Sequence, residues 1–390
     1  MRYWRRALRL VPLCALALSL SGCGMFSWFG GSDEDTKPAK LVSFEPQAQM
    51  RRLWRVGVGS GQGSKKYNRL APVIVGPRIY AAGNNGVVMA VERETGRVQW
   101  RARLRKVITG GVGASNGLVL LGTENAQVVA LEADTGEVRW ESDVTSEVLS
   151  APVTDGRIVV AQTVDGNLVG LNAQNGEQVW IYENQVPALS LRGTSSPIIV
   201  QNFVIAALAN GSVISVALDN GTLRWEERVA IPTGRSEIDR MVDIDGTLVL
   251  FDGQLLAPSY QGYLAVIDPV TGQTRWRVEE STSGGASFGF GNVYLSGADD
   301  VVRAYRVGQD APVWSNDQMK RRRLSSPQGF SNYVAVGDAD GYVHLLAQSN
   351  GRFVARTKVD GDGIRAHMLS QGNVLYVFGN SGTLAAYQVQ

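Results

Sequence analysis

The stretch ALEADTGEVRW, residues 130–140, contains the pattern that decides the fold. A short alternating run leads into Thr135-Gly136, and a second alternating run ends at Trp140. The same arrangement is present in AVERETGRVQW, residues 90–100. A Thr-Gly pair between two alternating segments predicts a tight turn that joins two antiparallel strands.

This unit recurs along the chain at an interval of about 43 residues, which is typical of one four-stranded blade of a β-propeller. Its landmark tryptophans are Trp54, Trp100, Trp140, Trp180, Trp225, Trp276 and Trp314, and Ala355 takes the same place in an eighth copy. A turn glycine precedes these positions by four residues: Gly96, Gly136, Gly176, Gly221, Gly272 and Gly351, with Asp310 replacing it in one copy. A glycine that opens a strand marks the copies a second time: Gly86, Gly166, Gly211, Gly262, Gly341 and Gly382, with Ala126 and Asp300 in the other two. Eight units are therefore predicted.

The unit that ends at Trp180 shows how the strands are placed. Its turn residues separate four short strands over 150–154, 157–163, 167–172 and 177–182. No segment of ten or more residues has a clean helical period, so helices are expected to be rare. A lone four-stranded sheet exposes two apolar faces, and packing such sheets around an axis covers each face with the next blade.

The ring must also close. The strand around Leu53-Trp54-Arg55-Val56 has no three strands before it, and the C-terminal Tyr387-Gln388-Val389 has no tryptophan strand after it. We predict that the two ends pair, which gives an all-β, eight-bladed propeller of four-stranded antiparallel blades. The regular spacing of the tryptophans favours packing between blades over an aromatic row that stacks bases or sugars.

The N-terminus predicts an export signal. Arginines at 2, 5, 6 and 9 precede the apolar run LVPLCALALSL, residues 10–20, which is too short to span a membrane. It is followed by Leu20-Ser21-Gly22-Cys23, which resembles the bacterial lipobox. We expect residues 1–22 to be a lipoprotein signal peptide, residues 23–49 to be a lipidated Cys23 with a flexible tether, and residues 50–390 to be the propeller.

Cysteine usage agrees with lipidation, because Cys14 is removed with the signal and Cys23 then stands alone. Gly24 follows Cys23, and no aspartate stands where a retention signal for the inner membrane would place one. The expected location is therefore the outer membrane, on its periplasmic face. The net charge is +2 with the signal included, so the chain does not have the composition of a general nucleic-acid binder.

The repeats resemble the tryptophan-docking repeat of quinoprotein-type propellers. Two further segments, VPALSLRGTSSP at 186–197 and SEIDRMVDID at 236–245, together with the lipobox and the eight units, resemble the BamB family of lipoproteins. The resemblance covers essentially the whole mature chain. It implies a non-catalytic scaffold of the outer-membrane β-barrel assembly (BAM) machinery that binds the POTRA domains of BamA and assists insertion of β-barrel proteins.

The resemblance implies that the two segments carry the BamA contact, through Leu189, Leu191, Arg192, Asp243 and Asp245. The two leucines lie in a link between blades with no strand to join, either as an exposed hot spot beside Arg192 or as local loop packing. The two segments belong to successive blades, so a contiguous patch is expected.

Each of the two aspartates has a counterpart in other units of the repeat. Asp243 aligns with apolar residues on the first strands of other blades. A carboxylate at such a position indicates a function other than core packing. Its predicted counterparts are Val73, Val153 and Ile198, with Gln328 in another copy. Asp245 aligns with Asp155 before a turn glycine, where aspartate is a common turn former.

Two other classes of function remain as alternatives. A PQQ-dependent dehydrogenase needs a quinone, a metal and a vicinal cysteine pair, whereas the mature chain keeps only Cys23, so we expect no cofactor and no metal. The second alternative is a propeller that binds a cell-wall ligand. The only histidines, His344 and His367, are interpreted as strand residues without metal-ligand spacing.

Two features leave further partners open. The run 320–323, Lys-Arg-Arg-Arg, either forms a solvated loop or attracts an anionic ligand or lipid. Exposed blade edges are a possible route by which unfolded outer-membrane clients add a strand to the sheet.

Overall fold

The structure is a computed structural model that describes residues 37–63, 68, 70–187, 195–233, 235–236 and 241–390. The chain divides into two compact units, Met1–Lys37 and Pro38–Gln390, and every described strand belongs to the second. Thirty-two strands in the described residues form eight four-stranded antiparallel sheets arranged in a ring. The predicted eight-bladed β-propeller is confirmed.

The blades follow one another in chain order. Blade 1 contains β2 Val73–Val75, β3 Arg78–Ala82, β4 Val87–Glu92 and β5 Val98–Arg103; blade 2, β6 Ile108–Ser115, β7 Leu118–Thr123, β8 Gln127–Glu132 and β9 Val138–Asp143; blade 3, β10 Val153–Thr154, β11 Ile158–Gln162, β12 Leu168–Asn172 and β13 Gln178–Tyr182; blade 4, β14 Ile198–Val200, β15 Phe203–Ala207, β16 Ser212–Ala217 and β17 Leu223–Arg228. Blade 5 contains β18 Val249–Phe251, β19 Gln254–Pro258, β20 Gly262–Ile267 and β21 Thr274–Glu280; blade 6, β22 Ala286–Gly289, β23 Asn292–Ser296, β24 Val302–Tyr305 and β25 Trp314–Asn316; blade 7, β26 Gln328–Phe330, β27 Tyr333–Gly337, β28 Tyr342–Ala347 and β29 Phe353–Lys358; blade 8, β30 Leu369–Gln371, β31 Val374–Phe378, β32 Thr383–Val389 and β1 Met50–Gly57.

Blade 3 shows the local logic that all blades share. Its four strands fall within the four ranges predicted from the turn residues. The second strand, β11, is buried along its whole length, whereas the fourth, β13, has exposed positions around the buried Trp180. The fourth strand of each blade therefore lies at the outer rim of the ring.

The ring closes between the two ends of the chain, as predicted. β1 pairs antiparallel with β32 from Met50↔Val389 to Gly57↔Thr383. Backbone hydrogen bonds in both directions between Gln49 and Gln390, at 2.9 and 3.0 Å, extend the pairing. Closure gives blade 8 its fourth strand, so that all eight sheets have four strands.

The core lies between neighbouring blades. One cluster combines Leu120 and Ala130 of blade 2 with Val159 and Val169 of blade 3, all of them fully buried. Each blade covers the apolar face of the next, which is why a repeated sheet assembles into a ring. Among the described residues, no helix has the length and apolar character needed to cross a membrane.

The repeated tryptophan packs between blades, as predicted. Trp140 of blade 2 is 7% exposed, and its Nε1 donates to the carbonyl oxygen of Ala173 in the next blade at 2.9 Å. Gly176, with φ +77°, allows this contact because a Cβ there would lie 2.7 Å from the indole ring. The same indole bond, from 2.8 to 3.0 Å, is made by Trp54, Trp100, Trp180 and Trp314.

Three junctions depart from this pattern. The Nε1 atoms of Trp225 and Trp276 are buried without a hydrogen-bond partner among the described residues. The turn that would receive Trp276 is the one with Asp310 in place of glycine. Ala355 of blade 7 faces blade 8, where the two chain ends stand in place of the turn that a tryptophan would dock on.

Residues 38–49, here called the strap, cross blade 7 and end in this last junction. The Gln47 N–H donates to the Val354 carbonyl at 2.9 Å, and the Phe44 ring stacks on Phe353 with centroids 5.4 Å apart. Ala48 is 7% exposed within the core of blades 7 and 8. The strap falls in the range expected as a tether, and its contacts show that the propeller holds the chain from Pro38 onward.

A buried charged cluster lies beneath the strap. Arg322, 5% exposed, bonds the carboxylates of Asp338 and Asp340, both at 2.7 Å, and its Nη1 donates to the Ala39 carbonyl at 2.8 Å. The run 320–323 is therefore not a uniformly solvated loop, because Arg322 neutralises the fully buried Asp338. The other three residues of the run are exposed.

His344 and Arg356 complete this cluster. His344 Nε2 lies 2.9 Å from Asp338, and its Nδ1 accepts a hydrogen bond from Arg356 Nε at 3.1 Å, which assigns the proton to Nε2. Arg356 Nη1 also donates to the Val42 carbonyl at 3.0 Å. Two arginines therefore hold the strap backbone, and ionised Asp338 compensates the buried positive charge.

Candidate partner-binding surface

Two long connections flank blade 4 on one face of the ring. One joins β13 to β14 through residues 183–197, and the other joins β17 to β18 through residues 229–248. They contain the two segments singled out in the sequence. Leu189, Leu191 and Arg192 lie outside the described residues, as do Cys23 and the expected signal peptide.

The described ends of the two connections meet. The Ser195 hydroxyl donates to the carbonyl oxygen of Gly246 at 2.9 Å, and Ser195 is 1% exposed. Ser196 accepts a hydrogen bond from the Ala151 N–H of the preceding connection at 3.0 Å. The segment 186–197 is therefore anchored at its C-terminal end to Gly246, next to Asp245. The contiguous patch stays a prediction.

The structure corrects the alignment of Asp243. The first strand of blade 5 is β18, and Val249 pairs with Leu256 as Val73 pairs with Tyr80, so Val249 is the counterpart of the apolar residues in other blades. Asp243 lies before that strand and bridges Tyr260. The error arose because the connection contains several residues that the other blades lack.

Asp243 is 1% exposed rather than presented to solvent. Its Oδ1 accepts the Ile244 N–H at 2.8 Å, and its carbonyl accepts the Tyr260 N–H at 2.8 Å. These contacts bend the chain and attach it to the turn that joins β19 and β20. Asp243 therefore stabilises the connection 229–248 as a buried residue.

The alignment of Asp245 is corrected in the same way. The counterpart of Asp155, before the glycine that joins first and second strands, is Asp252 before Gly253. Asp245 instead lies on the border of a central cavity of about 500 Å³. Several hydroxyl side chains from other connections line the same cavity: Ser150, Ser196, Thr282, Ser283, Ser325 and Ser326.

His367 lines this cavity too. It lies in the connection before β30 rather than on a strand, which corrects one of the two histidine placements, whereas His344 is on β28. Burial lowers the pKa of His367 to about 4, so its imidazole is neutral near pH 7. The described residues contain no group of three His, Cys, Asp or Glu side chains able to hold a metal.

A family model described as outer membrane protein assembly factor BamB matches residues 84–300. The chain is 53% identical over 387 residues to the outer membrane protein assembly factor BamB of Pseudomonas aeruginosa, covering 99% of both chains. It is 34% identical to the protein of that name from Escherichia coli, covering 97% of this chain and 98% of the relative. The chain belongs to the BamB family.

The solved structures agree with this membership. The crystal structure of BamB from Moraxella catarrhalis matches with a TM-score of 0.79 and 30% identity, over 87% of this chain and all of that one. A europium-containing methanol dehydrogenase matches with a TM-score of 0.71 at 14% identity, over 87% of this chain and 93% of that one. At that identity the likeness shows a common fold alone.

Proposed function

We propose that this chain is a non-catalytic scaffold lipoprotein of the β-barrel assembly machinery, which holds the POTRA region of BamA and assists insertion of β-barrel proteins. Its membership of the BamB family of outer membrane assembly factors is the observation that carries the proposal. Lipidation at Cys23 places it on the periplasmic face of the outer membrane, where it works with the rest of the complex.

The surface beside blade 4 is the proposed BamA contact. Leu189 and Leu191 provide apolar anchors, and Arg192 provides a planar guanidinium that can hold a partner carboxylate through two hydrogen bonds. Asp243 acts indirectly, because its buried carboxylate orders the connection. Asp245 lies where this surface meets the central cavity.

Binding to purified POTRA domains tests this contact. We expect Arg192→Glu to weaken affinity by about tenfold or more, because a reversed charge opposes the partner carboxylate. Arg323→Glu is the matched control, since Arg323 is an exposed arginine in the connection between blades 6 and 7. Unchanged affinity of a folded Leu191→Ala/Arg192→Glu variant would show that the contact lies elsewhere.

Asp243→Asn separates ordering from contact. We expect weaker POTRA binding together with faster proteolysis within residues 229–248, because the amide cannot act as the same charged acceptor for the Ile244 N–H. Weaker binding without any change in proteolysis would instead assign Asp243 to the contact itself.

Membrane anchoring is tested by Cys23→Ala. The variant should leave the outer-membrane fraction and incorporate no labelled palmitate, whereas the parent chain should stay in that fraction and be labelled. Retention of the variant in that fraction with no labelling of the parent would overturn the lipid anchor but leave the BamA contact intact.

A further inference from the structure

The outer strands of the ring differ sharply in charge. Blades 7, 8 and 1 present β29, β1 and β5, which together contain seven Arg and Lys residues and no Asp or Glu. The outer strands of blades 2 to 6 contain five basic and six acidic residues. We name the first set the basic arc; its members are Arg51, Arg52, Arg55, Arg101, Arg103, Arg356 and Lys358.

Most of these cations are available to a partner. Arg51, Arg52, Arg101 and Arg103 are exposed, and none forms an ion pair with a carboxylate in the described part of the chain. Arg51 instead donates to the neutral Gln388 side chain at 2.9 Å. By contrast, Arg139 of blade 2 and Arg275 of blade 5 are paired with Glu132 and Asp268.

The same side of the ring receives the N-terminal part of the chain. The strap crosses blade 7 and continues directly into β1, and its Ala39 N–H donates to the Lys320 carbonyl at 2.9 Å. Lys40, Lys320 and Arg321 are exposed there and add to the positive charge. Cys23 precedes Pro38 by 15 residues, a length that reaches at most about 50 Å when extended.

We propose that the basic arc binds the anionic phospholipid surface of the membrane that holds the N-terminus. Guanidinium groups fit phosphate oxygens in pairs, and a row of them along one rim matches a sheet of headgroups better than a single pocket. Leu53 and Val98, 39% and 37% exposed among these arginines, provide small apolar contacts at the same surface.

An acidic protein surface is the other partner with matching charge. The strap favours the lipid, because a short connection to an anchored Cys23 keeps the arc within reach of the bilayer and makes the contact effectively intramolecular. The choice of lipid thus rests on the anchor proposed above, whereas the arc itself does not depend on BamA binding.

Vesicle binding of the purified chain from Gly24 onward tests the proposal without Cys23 or any other protein. This chain keeps the whole unit from Pro38 to Gln390. We expect co-sedimentation with vesicles that contain phosphatidylglycerol, none with phosphatidylcholine alone, and loss of binding at high salt. Because these reagents include no POTRA domain, failure here is distinct from failure of the BamA contact.

Two matched double variants locate the site. Arg101→Gln/Arg103→Gln on β5 should lower affinity for the anionic vesicles by about tenfold. Arg224→Gln/Arg228→Gln on β17 removes two exposed cations from another outer strand and should change it less than about twofold.

Equal effects of the two double variants would overturn the proposal. Equal binding to vesicles with and without phosphatidylglycerol would also overturn it. Failure to bind any vesicle would also overturn it. If an immobilised polyglutamate then retained the chain through Arg101 and Arg103, the arc would be assigned to an acidic protein instead.

Discussion

The junction between blades 2 and 3 and the junction between blades 7 and 8 cover the same kind of apolar face by different means. In the first, the Trp140 indole docks on the glycine turn of the next blade. In the second, Ala355 replaces the tryptophan, and the end of the strap covers the face with Ala48 and backbone hydrogen bonds.

The difference follows from ring closure. Tryptophan docking needs a turn between the third and fourth strands of the neighbouring blade, and blade 8 has the two chain ends there. The chain that leads into β1 must pass this point, so it can serve as the cover. The junction between blades 7 and 8 thus depends on residues from outside the repeat.

The largest expected effect is at the ordinary junction. Trp140→Ala removes a nearly buried indole and its hydrogen bond, and should lower the free energy of unfolding by about 3–5 kcal/mol. Urea denaturation measures it. Val138→Ala, at a side chain 46% exposed on the same strand, is the control and should change stability little. An unchanged urea midpoint for Trp140→Ala would contradict the role of the repeat.

In the charged cluster beneath the strap, Asp338→Asn should cost about 3 kcal/mol, because Arg322 and Arg356 lose a buried compensating charge. Burial alone would raise the pKa of Asp338, but hydrogen bonds from His344, the Tyr342 N–H and Arg322 outweigh it and keep that pKa below its usual value. The stability from ionised Asp338 is therefore complete above the usual carboxyl pKa and is lost as pH falls below it.

His344 adds to this acid sensitivity. Burial lowers the pKa of His344, and the cations Arg356 and Arg322 lower it further, against the opposing effect of Asp338. The unfolded chain therefore takes up this proton first, and stability falls as pH drops below the usual histidine pKa of about 6.5. Urea midpoints measured from pH 7 downward should fall less steeply for His344→Gln. The same pH dependence in the parent chain and in His344→Gln would show that His344 does not contribute to the acid sensitivity.

Gly176→Ala should cost about 2–3 kcal/mol through two effects, a positive φ and a Cβ placed 2.7 Å from the Trp140 ring. Gly253→Ala is a matched control, since its φ is +70° but its Cβ would meet nothing within 4 Å. We expect about 1 kcal/mol there. Equal costs in the two variants, measured by urea denaturation, would mean that the indole contact does not require glycine.

Phe44→Ala tests the strap and should cost about 1–2 kcal/mol, because it removes the stack on Phe353 and the contact with Arg356. Proteolysis within residues 38–49 should become faster. Phe290→Ala, at a side chain 69% exposed, is the control. Unaltered proteolysis of the strap would show that Phe44 does not hold it.

The smallest effect compares two tryptophans. Trp140→Phe removes a hydrogen bond to Ala173, whereas Trp276→Phe removes an indole N–H that has no partner among the described residues. Thermal or urea unfolding should therefore show Trp140→Phe to be the more costly by about 1 kcal/mol. The reverse order would contradict the assigned bonding.

The repeat predicted the strands well because turn glycines and alternating residues act locally. The strand limits of blade 3 needed only the positions of its turns. The same reasoning failed at Asp243, since a long connection shifts the register and only the pairing of Val249 with Leu256 shows where the strand begins. The strap was missed because its irregular composition carries no period, and its order comes from blade 7.

The sequence alone determined the number of blades and their antiparallel strands, because these depend on periodic residues that act within one unit. Counting the units also showed that the two chain ends must complete the eighth blade. The tertiary structure decided what lies between units: the burial of Asp243 and Arg322, the docking of the strap and the grouping of arginines on neighbouring outer strands. Those features join residues far apart in the chain, and their energies depend on distance and burial that arise only once the ring has closed.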